Sequence, residues 1–115
     1  MALSITPALV IINMQEDYAK FEQKELKEIS FNLNELMKSG KFGTIVAIQQ
    51  WYPMNHVSFA ESHPSYQELD VIGVHGRSLT LVNRHCVAGT KGADLLNDLP
   101  WDFAHSVIRT GTDHS

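Results

Sequence analysis

The stretch Thr44 to Pro64, TIVAIQQWYPMNHVSFAESHP, constrains this chain more than any other. It opens as an uncharged apolar run, Ile45-Val46-Ala47-Ile48, and then breaks into aromatic, proline, histidine and serine residues. An apolar run without alternation reads as a strand covered on both faces, as in parallel sheets. Open α/β sheets hold their ligands beyond the carboxyl ends of such strands. The stretch therefore predicts both a fold class and the place where a site should lie.

The flanking sequence supplies the rest of a βαβ unit. Ala8 to Ile12, ALVII, is a second apolar run of the same kind. From Phe21 to Lys38 the apolar spacing becomes helical, with Leu26, Ile29, Leu33 and Leu36 on one stripe and Lys and Glu between them. Gly40 is placed to end this helix in the left-handed conformation. Phe42 to Ile48 is the second strand. Strand, helix and strand in this order imply a parallel pair joined by a right-handed crossover. Further on the pattern weakens. Leu69 to Val74 and Ser78 to Val82 are apolar pieces on either side of His75-Gly76-Arg77, and read equally as a small excursion or as a long loop. Gly89 to Gly92 is a turn, and Ala93 to Leu99 reads as a short helix stopped by Pro100. His105 to Arg109 is a third short strand, left by Thr110-Gly111-Thr112-Asp113.

Bulk properties remove several function classes. With 115 residues, 43% hydrophobic and 19% charged, the chain suits one globular domain over residues 1–115. The net charge is −4 and the basic residues are scattered, which argues against nucleic-acid binding. No apolar run approaches the roughly 20 residues of a membrane span. The N-terminal MALSITPALVIINMQ has no basic region and does not read as a signal peptide. Cys86 is the single cysteine, so no intrachain disulfide forms, and the expected location is cytoplasmic.

Three segments share a pattern with one family. ALVIINMQEDY is similar to a strand ending in Asp-x-Gln-x-Asp-Phe. IQQWYPMNHVSFAESHP is similar to Gln-Asp-Trp-His-Pro-x-x-His-x-Ser-Phe-Ala-x-x-His-Pro. LVNRHCVAGTKGADL is similar to Leu-Trp-Pro-x-His-Cys-Val-x-Gly-Thr-x-Gly-Ala-x-Leu. Together they resemble the nicotinamidase and isochorismatase-like amidohydrolases, and the nicotinamidase branch above all. The resemblance implies a three-layer α/β/α fold with a parallel sheet, here cut down to about three strands because it spans only the first part of a typical family domain. It implies hydrolysis of nicotinamide to nicotinate and ammonia by an Asp, a Lys and a nucleophilic Cys, beside a zinc or iron ion held by an Asp and two His residues. A thiolate attacks the amide carbon, the carboxylate manages its proton, and the lysine holds the thiolate charge.

Carried across residue by residue, the resemblance leaves little of that chemistry. The catalytic aspartate falls on Asn13, which is no general base near neutral pH. The lysine position is Thr110, and Arg109 beside it points to the opposite face of an extended strand. The nucleophile's turn is absent from the chain. Of the metal positions, Gln50 and Tyr52 replace Asp and His, while His85 is retained. Tyr18 replaces a pocket phenylalanine, and Trp51 keeps the pocket tryptophan.

Each of these residues also has a plain structural reading. Asn13 at a strand end bonds loop backbone, since Asn favours turns. A lone His85 falls short of the three or four ligands zinc takes, and reads as a hydrogen-bonded structural histidine. His56 and His63 are structural in the family motif, although they could pair on a metal. Cys86 occupies a non-nucleophilic position. Tyr18 and Trp51 serve equally as core aromatics or as a stacking surface. The expectation is a nicotinamidase-like protein without amidase activity or bound metal, which retains at most a nicotinamide-like ligand. The alternatives are a non-enzymatic binding or regulatory subunit, pairing with itself or with a complete homologue, and a fragment of a divergent amidohydrolase.

Overall fold

The computed structural model describes residues 6–20 and 23–114. Three parallel strands form the main sheet: β1 (Ala8–Ile12), β2 (Thr44–Gln50) and β5 (Ser106–Thr110), in the order β1-β2-β5. A helix, α1 (Gln23–Lys38), connects β1 to β2. Phe21, where the apolar spacing places the helix start, lies outside the described residues. Gly40 ends the helix at φ 73°, as its position predicts. The two later strands begin after the sequence reading puts them. β2 runs to Gln50 rather than to Ile48, and β5 to Thr110 rather than to Arg109. Both shifts carry site positions into the sheet.

The sheet has one covered face. Parallel partners share a face, so Leu9, Ile11, Ile45, Ala47 and Gln49 point one way and Val10, Ile12, Val46, Ile48 and Gln50 the other. The first face meets α1, where Ile11, Ile45 and Met37 form the core with Leu33 and Trp101 packed against them. The buried stripe of α1 runs through Ser30 and Met37, with Leu26 and Leu33 half-buried beside it. Ile29 and Leu36, placed on the stripe by their spacing, lie on its exposed flank, at 47% and 39% exposure. On the second face Val10, Ile12 and Ile108 stay 51%, 60% and 51% exposed.

The connection from β2 to β5 departs from the expected helix. Ala93 to Leu99 is not a helix: a short 3-10 turn, Lys91–Ala93, is followed by a single bridge at Leu95 and a turn at Asn97-Asp98. Its backbone groups are claimed from elsewhere. Leu95 forms an antiparallel bridge with Gln15, the Glu16 N–H donates to Asp94 O at 2.9 Å, and the Leu96 N–H donates to Met14 O at 2.9 Å. Ala93 O accepts the side-chain amides of both Gln15 and Gln49, each at 2.8 Å. These tertiary bonds satisfy groups that a helix would have paired internally, and propensity yields to them.

The undecided segment before it is a hairpin, β3 (Val71–Val74) against β4 (Arg77–Thr80). Its two-residue turn is His75-Gly76, at φ 50° and 76°, the pair of positive φ values a type I′ turn requires. Leu81 behind it is fully buried and bonds Leu69 and Asp70 through its backbone, which anchors the hairpin base.

Gln15 holds the main sheet to this connection. It is fully buried, its Nε2 donates to Gln50 O and Ala93 O at 2.8 Å each, and its Oε1 accepts the Gln50 N–H at 2.9 Å. Replacing it by alanine strands the Gln50 N–H and C=O, each costing about 1–3 kcal/mol if left unpaired, while Ala93 O keeps the Gln49 amide. The expected result for Gln15→Ala is a loss of about 3 kcal/mol or more, seen as a large drop in the urea midpoint. A midpoint within error of the parent would show that water replaces the amide.

Candidate functional site

The site forms where the parallel strands end. Asn13 follows β1 in the left-handed region at φ 60°, a conformation Asn accepts more readily than most residues. Its N–H donates to Ile48 O and its carbonyl accepts the Gln15 N–H, both at 2.9 Å. These bonds match the turn role read from its position. Gln50 and Thr110 are paired in register at the ends of β2 and β5 and share a face, while Gln49 and Arg109 point to the other. Arg109 therefore does not stand in for a lysine at position 110. Its guanidinium lies 3.7 Å above the Trp51 ring, and its Nε donates to Gln49 Oε1 at 3.3 Å. Strand alternation puts Trp51 on the Arg109 side, while Tyr18 bonds Gln50.

Beyond β2 a group of rings gathers around Tyr52. Tyr52 bridges to Val87, with its N–H donating to Cys86 O at 3.0 Å and its carbonyl accepting Ala88 N–H at 2.7 Å. Its ring centroid lies 4.8 Å from His56, 5.3 Å from His85 and 5.5 Å from Phe59. Gly111, at φ 72°, leaves the space into which the Tyr52 ring fits, since a Cβ there would run into it. Tyr18 meets His85 edge-on at 5.9 Å and donates its hydroxyl to Gln50 Oε1. A cleft of about 350 Å³ lies along Asp17, Tyr18, Val82, Asn83, Arg84 and His85.

Electrostatics keep these groups neutral. Burial pushes the Tyr18 phenol up to about 12, with Cys86 and Tyr52 adding to the shift. Burial and Cys86 raise Tyr52 as well. Burial lowers His56, and the neighbouring His114 and His85 lower it further. His56 Nδ1 accepts the Ser58 N–H at 3.1 Å, and His63 Nε2 donates to Val57 O at 2.7 Å, so each histidine uses one ring nitrogen inside its own loop. His85 Nδ1 donates to Asn83 O at 2.9 Å, which leaves the Nε2 lone pair as its open position.

Two residues that the sequence reading passed over hold the site's frame. Gln15 is one. Asp17 is the other: its Oδ2 accepts the Cys86 N–H at 2.7 Å across 69 positions of chain, and its Oδ1 pairs with Lys20 at 2.9 Å. Gly92 makes this possible, because a Cβ there would collide with the carboxylate. Both lie in the Gln-x-Asp part of the first motif, which was their signal. Cys86 itself is fully buried at φ 48°. Burial, and then the Asp17 charge, push its thiol up to about 11, the opposite of a nucleophile's activation.

A divalent metal does not fit the residues in its expected place. Gln50 Oε1 already accepts the Tyr18 hydroxyl, Tyr52 is a neutral phenol, and His85 alone offers a ligand. Among the described residues, no three His, Cys, Asp or Glu side chains are grouped to hold an ion. Of the two carboxylates along the cleft, Asp17 is committed to Cys86 and Lys20, and Glu68 accepts the Asn83 side-chain amide.

Comparison with known proteins gives consistent relatives, although no family model matches the chain. A nicotinamidase of Acinetobacter baylyi is 41% identical over 70 residues, which are 61% of this chain and 33% of that protein. A solved nicotinamidase/pyrazinamidase of Acinetobacter baumanii superposes with a TM-score of 0.83 at 30% identity, over 98% of this chain and 55% of the other. A pyrazinamidase of Pyrococcus horikoshii, solved in complex with zinc, gives a TM-score of 0.65 at 25% identity, over 96% and 55%. The chain thus spans about half the length of the solved structures it matches.

The Asp17 link predicts a pH-dependent stability. Burial alone would raise its pKa, but the bonds from Cys86 and Lys20 outweigh it and leave the net value below 3.8. A depressed folded pKa stabilises the native state above the unfolded value and is lost as pH falls through the folded one. Asp17→Ala is expected to cost about 2 kcal/mol near neutral pH by leaving the Cys86 N–H unpaired. The parent's advantage should narrow at a pH below the depressed folded pKa of Asp17. Urea titrations at both pH values check this, and an equal difference at each would refute the linkage.

Proposed function

Because this chain belongs to the family of nicotinamidases and isochorismatase-like hydrolases, we propose that it is a cytoplasmic, single-domain binder of a flat nicotinamide-like molecule that does not hydrolyse it. One observation carries this reading. At the three strand ends Asn13, Gln50 and Thr110 stand where the resemblance implies an acid, a metal ligand and a lysine, and Cys86 is locked as a thiol. These strand-end residues offer no general base and no lysine, and Cys86 is no activated nucleophile, while the charged groups of the adjoining cleft, Lys20 and Arg84 among them, stand at other positions. The cleft beside Tyr18 and His85 is large enough for one aromatic ring, and the neutral hydroxyls and the His85 lone pair supply hydrogen bonding. No resident metal is part of this reading. Among the described residues no helix is long and apolar enough to cross a membrane. The cytoplasmic assignment rests on the lone cysteine.

The test is made on purified chain. Saturation-transfer NMR should detect nicotinamide binding that weakens with Tyr18→Ala, no ammonia should be released, and metal analysis should find well under one ion per chain. Ammonia release abolished by Cys86→Ala, or one ion per chain lost with His85→Ala, would defeat the proposal.

A second reading, a subunit that pairs with itself or with a complete homologue, is favoured by the uncovered sheet face. Val10, Ile12 and Ile108 form an uncharged patch there, and β5 is an edge strand with all five residues exposed. Exposed apolar patches and bare strand edges both favour association. The radius of gyration, 17.3 Å, supports this, since a compact chain of this length has about 13 Å. Sedimentation at micromolar concentration should show a dimer or larger species. A monomer that unfolds cooperatively would count against it.

A further inference from the structure

The misfit between the metal positions and a metal has a structural counterpart. Tyr52 stands where three segments converge: the exit of β2, the His85–Ala88 segment and the Gly111 turn after β5. Its backbone bridges to Val87 and its ring packs on His85, Phe59 and Gly111. A divalent ion bound by residues 50, 52 and 85 would join two of these segments through coordinate bonds. We infer that the Tyr52 ring has taken over this joining role, so that the ring cluster replaces a cation as the internal tie of the site.

Four observations support the exchange. The ring fills the volume over Gly111, where even a methyl group would collide with it. It touches His85, the one metal position whose residue could still ligate. Gln50, the third position, has its Oε1 occupied by the Tyr18 hydroxyl, a bond across 32 positions of chain. His85 also packs on Phe59, which is fully buried, so the imidazole is held by rings on two sides without an ion. Tyr52 is on this account a positioning residue. Its ring does the work and its hydroxyl does not. A ring and an ion cannot occupy this space together, so the arrangement is an either-or choice within one backbone frame.

This inference shares with the proposed function only the family positions, and its test involves neither ligand nor turnover. Tyr52→Phe keeps the ring and should leave Tm unchanged. Tyr52→Ala should lower Tm by about 10 °C, or fail to fold, as expected for losing roughly 1–2 kcal/mol or more from a domain of this size. The double variant Gln50→Asp, Tyr52→His loses the ring and regains a carboxylate and an imidazole beside His85. It should melt below the parent alone, and recover most of that Tm on refolding with Co²⁺, with visible d–d bands and one ion per chain. The parent's Tm should not move with Co²⁺. An unaltered Tm in Tyr52→Ala would overturn the inference, as would a double variant that Co²⁺ does not stabilise. Parent chain binding Co²⁺ at this site would overturn the inference too, and with it the metal-free part of the proposed function.

Discussion

The Gln15 side-chain amide is the interaction on which the rest of this structure depends. It sits fully buried at the exit of β1, where no water can substitute for a missing partner. Both of its donors and its acceptor are used, on the backbone of Gln50 and Ala93. One side chain thus fixes the end of the central strand and the segment that replaces a helix. Gln49 adds a second amide to Ala93 O from the next strand position. With these points fixed, residues 13, 50 and 110 converge at the strand ends whatever their side chains are. The frame and the chemistry are separable: backbone bonds set the strand ends, and the side chains there are free to differ.

The same separation appears in the charges. The groups that the resemblance implies at the strand ends are charged, and this chain places Asn13, Gln50, Tyr52 and Thr110 there. Strand ends without the charges that a metal would balance need no ion for their stability. Asp17, beside them, has a structural task and is balanced by a backbone N–H and by Lys20. Burial then holds Tyr18, Tyr52, His56 and Cys86 in their neutral forms.

What could be read from the sequence follows local physics. The runs at Ala8 and Ile45 became parallel strands, Gly40 ended its helix, and the residues after Ile48 formed the site, because apolar continuity and a left-handed glycine act over a few residues. Long-range bonds decided the rest. Nothing in Ala93 to Leu99 itself reveals that its carbonyls and amides are claimed from residues 14–16 and 49. The helical stripe was displaced because its buried side is set by where Met37 meets Ile11 and Ile45, and spacing alone leaves that rotation free. The partner that covers the Trp51 ring, Arg109, lies 58 positions away in the chain, and nothing near Trp51 announces it. The hairpin left only one legible trace, the glycine of its turn.

That hairpin changes how the chain can vary in length. β3 and β4 pair only with each other, and their base is pinned by Leu69, Asp70 and Leu81, ahead of the residues that reach the site. The His75-Gly76 tip lies in an exposed turn. Residues added or removed there lengthen or shorten an isolated ladder and leave the register of the parallel strands untouched. The tip is therefore the chain's natural insertion point, where a peptide or a small folded unit can be carried without altering the spacing between Tyr52 and His85.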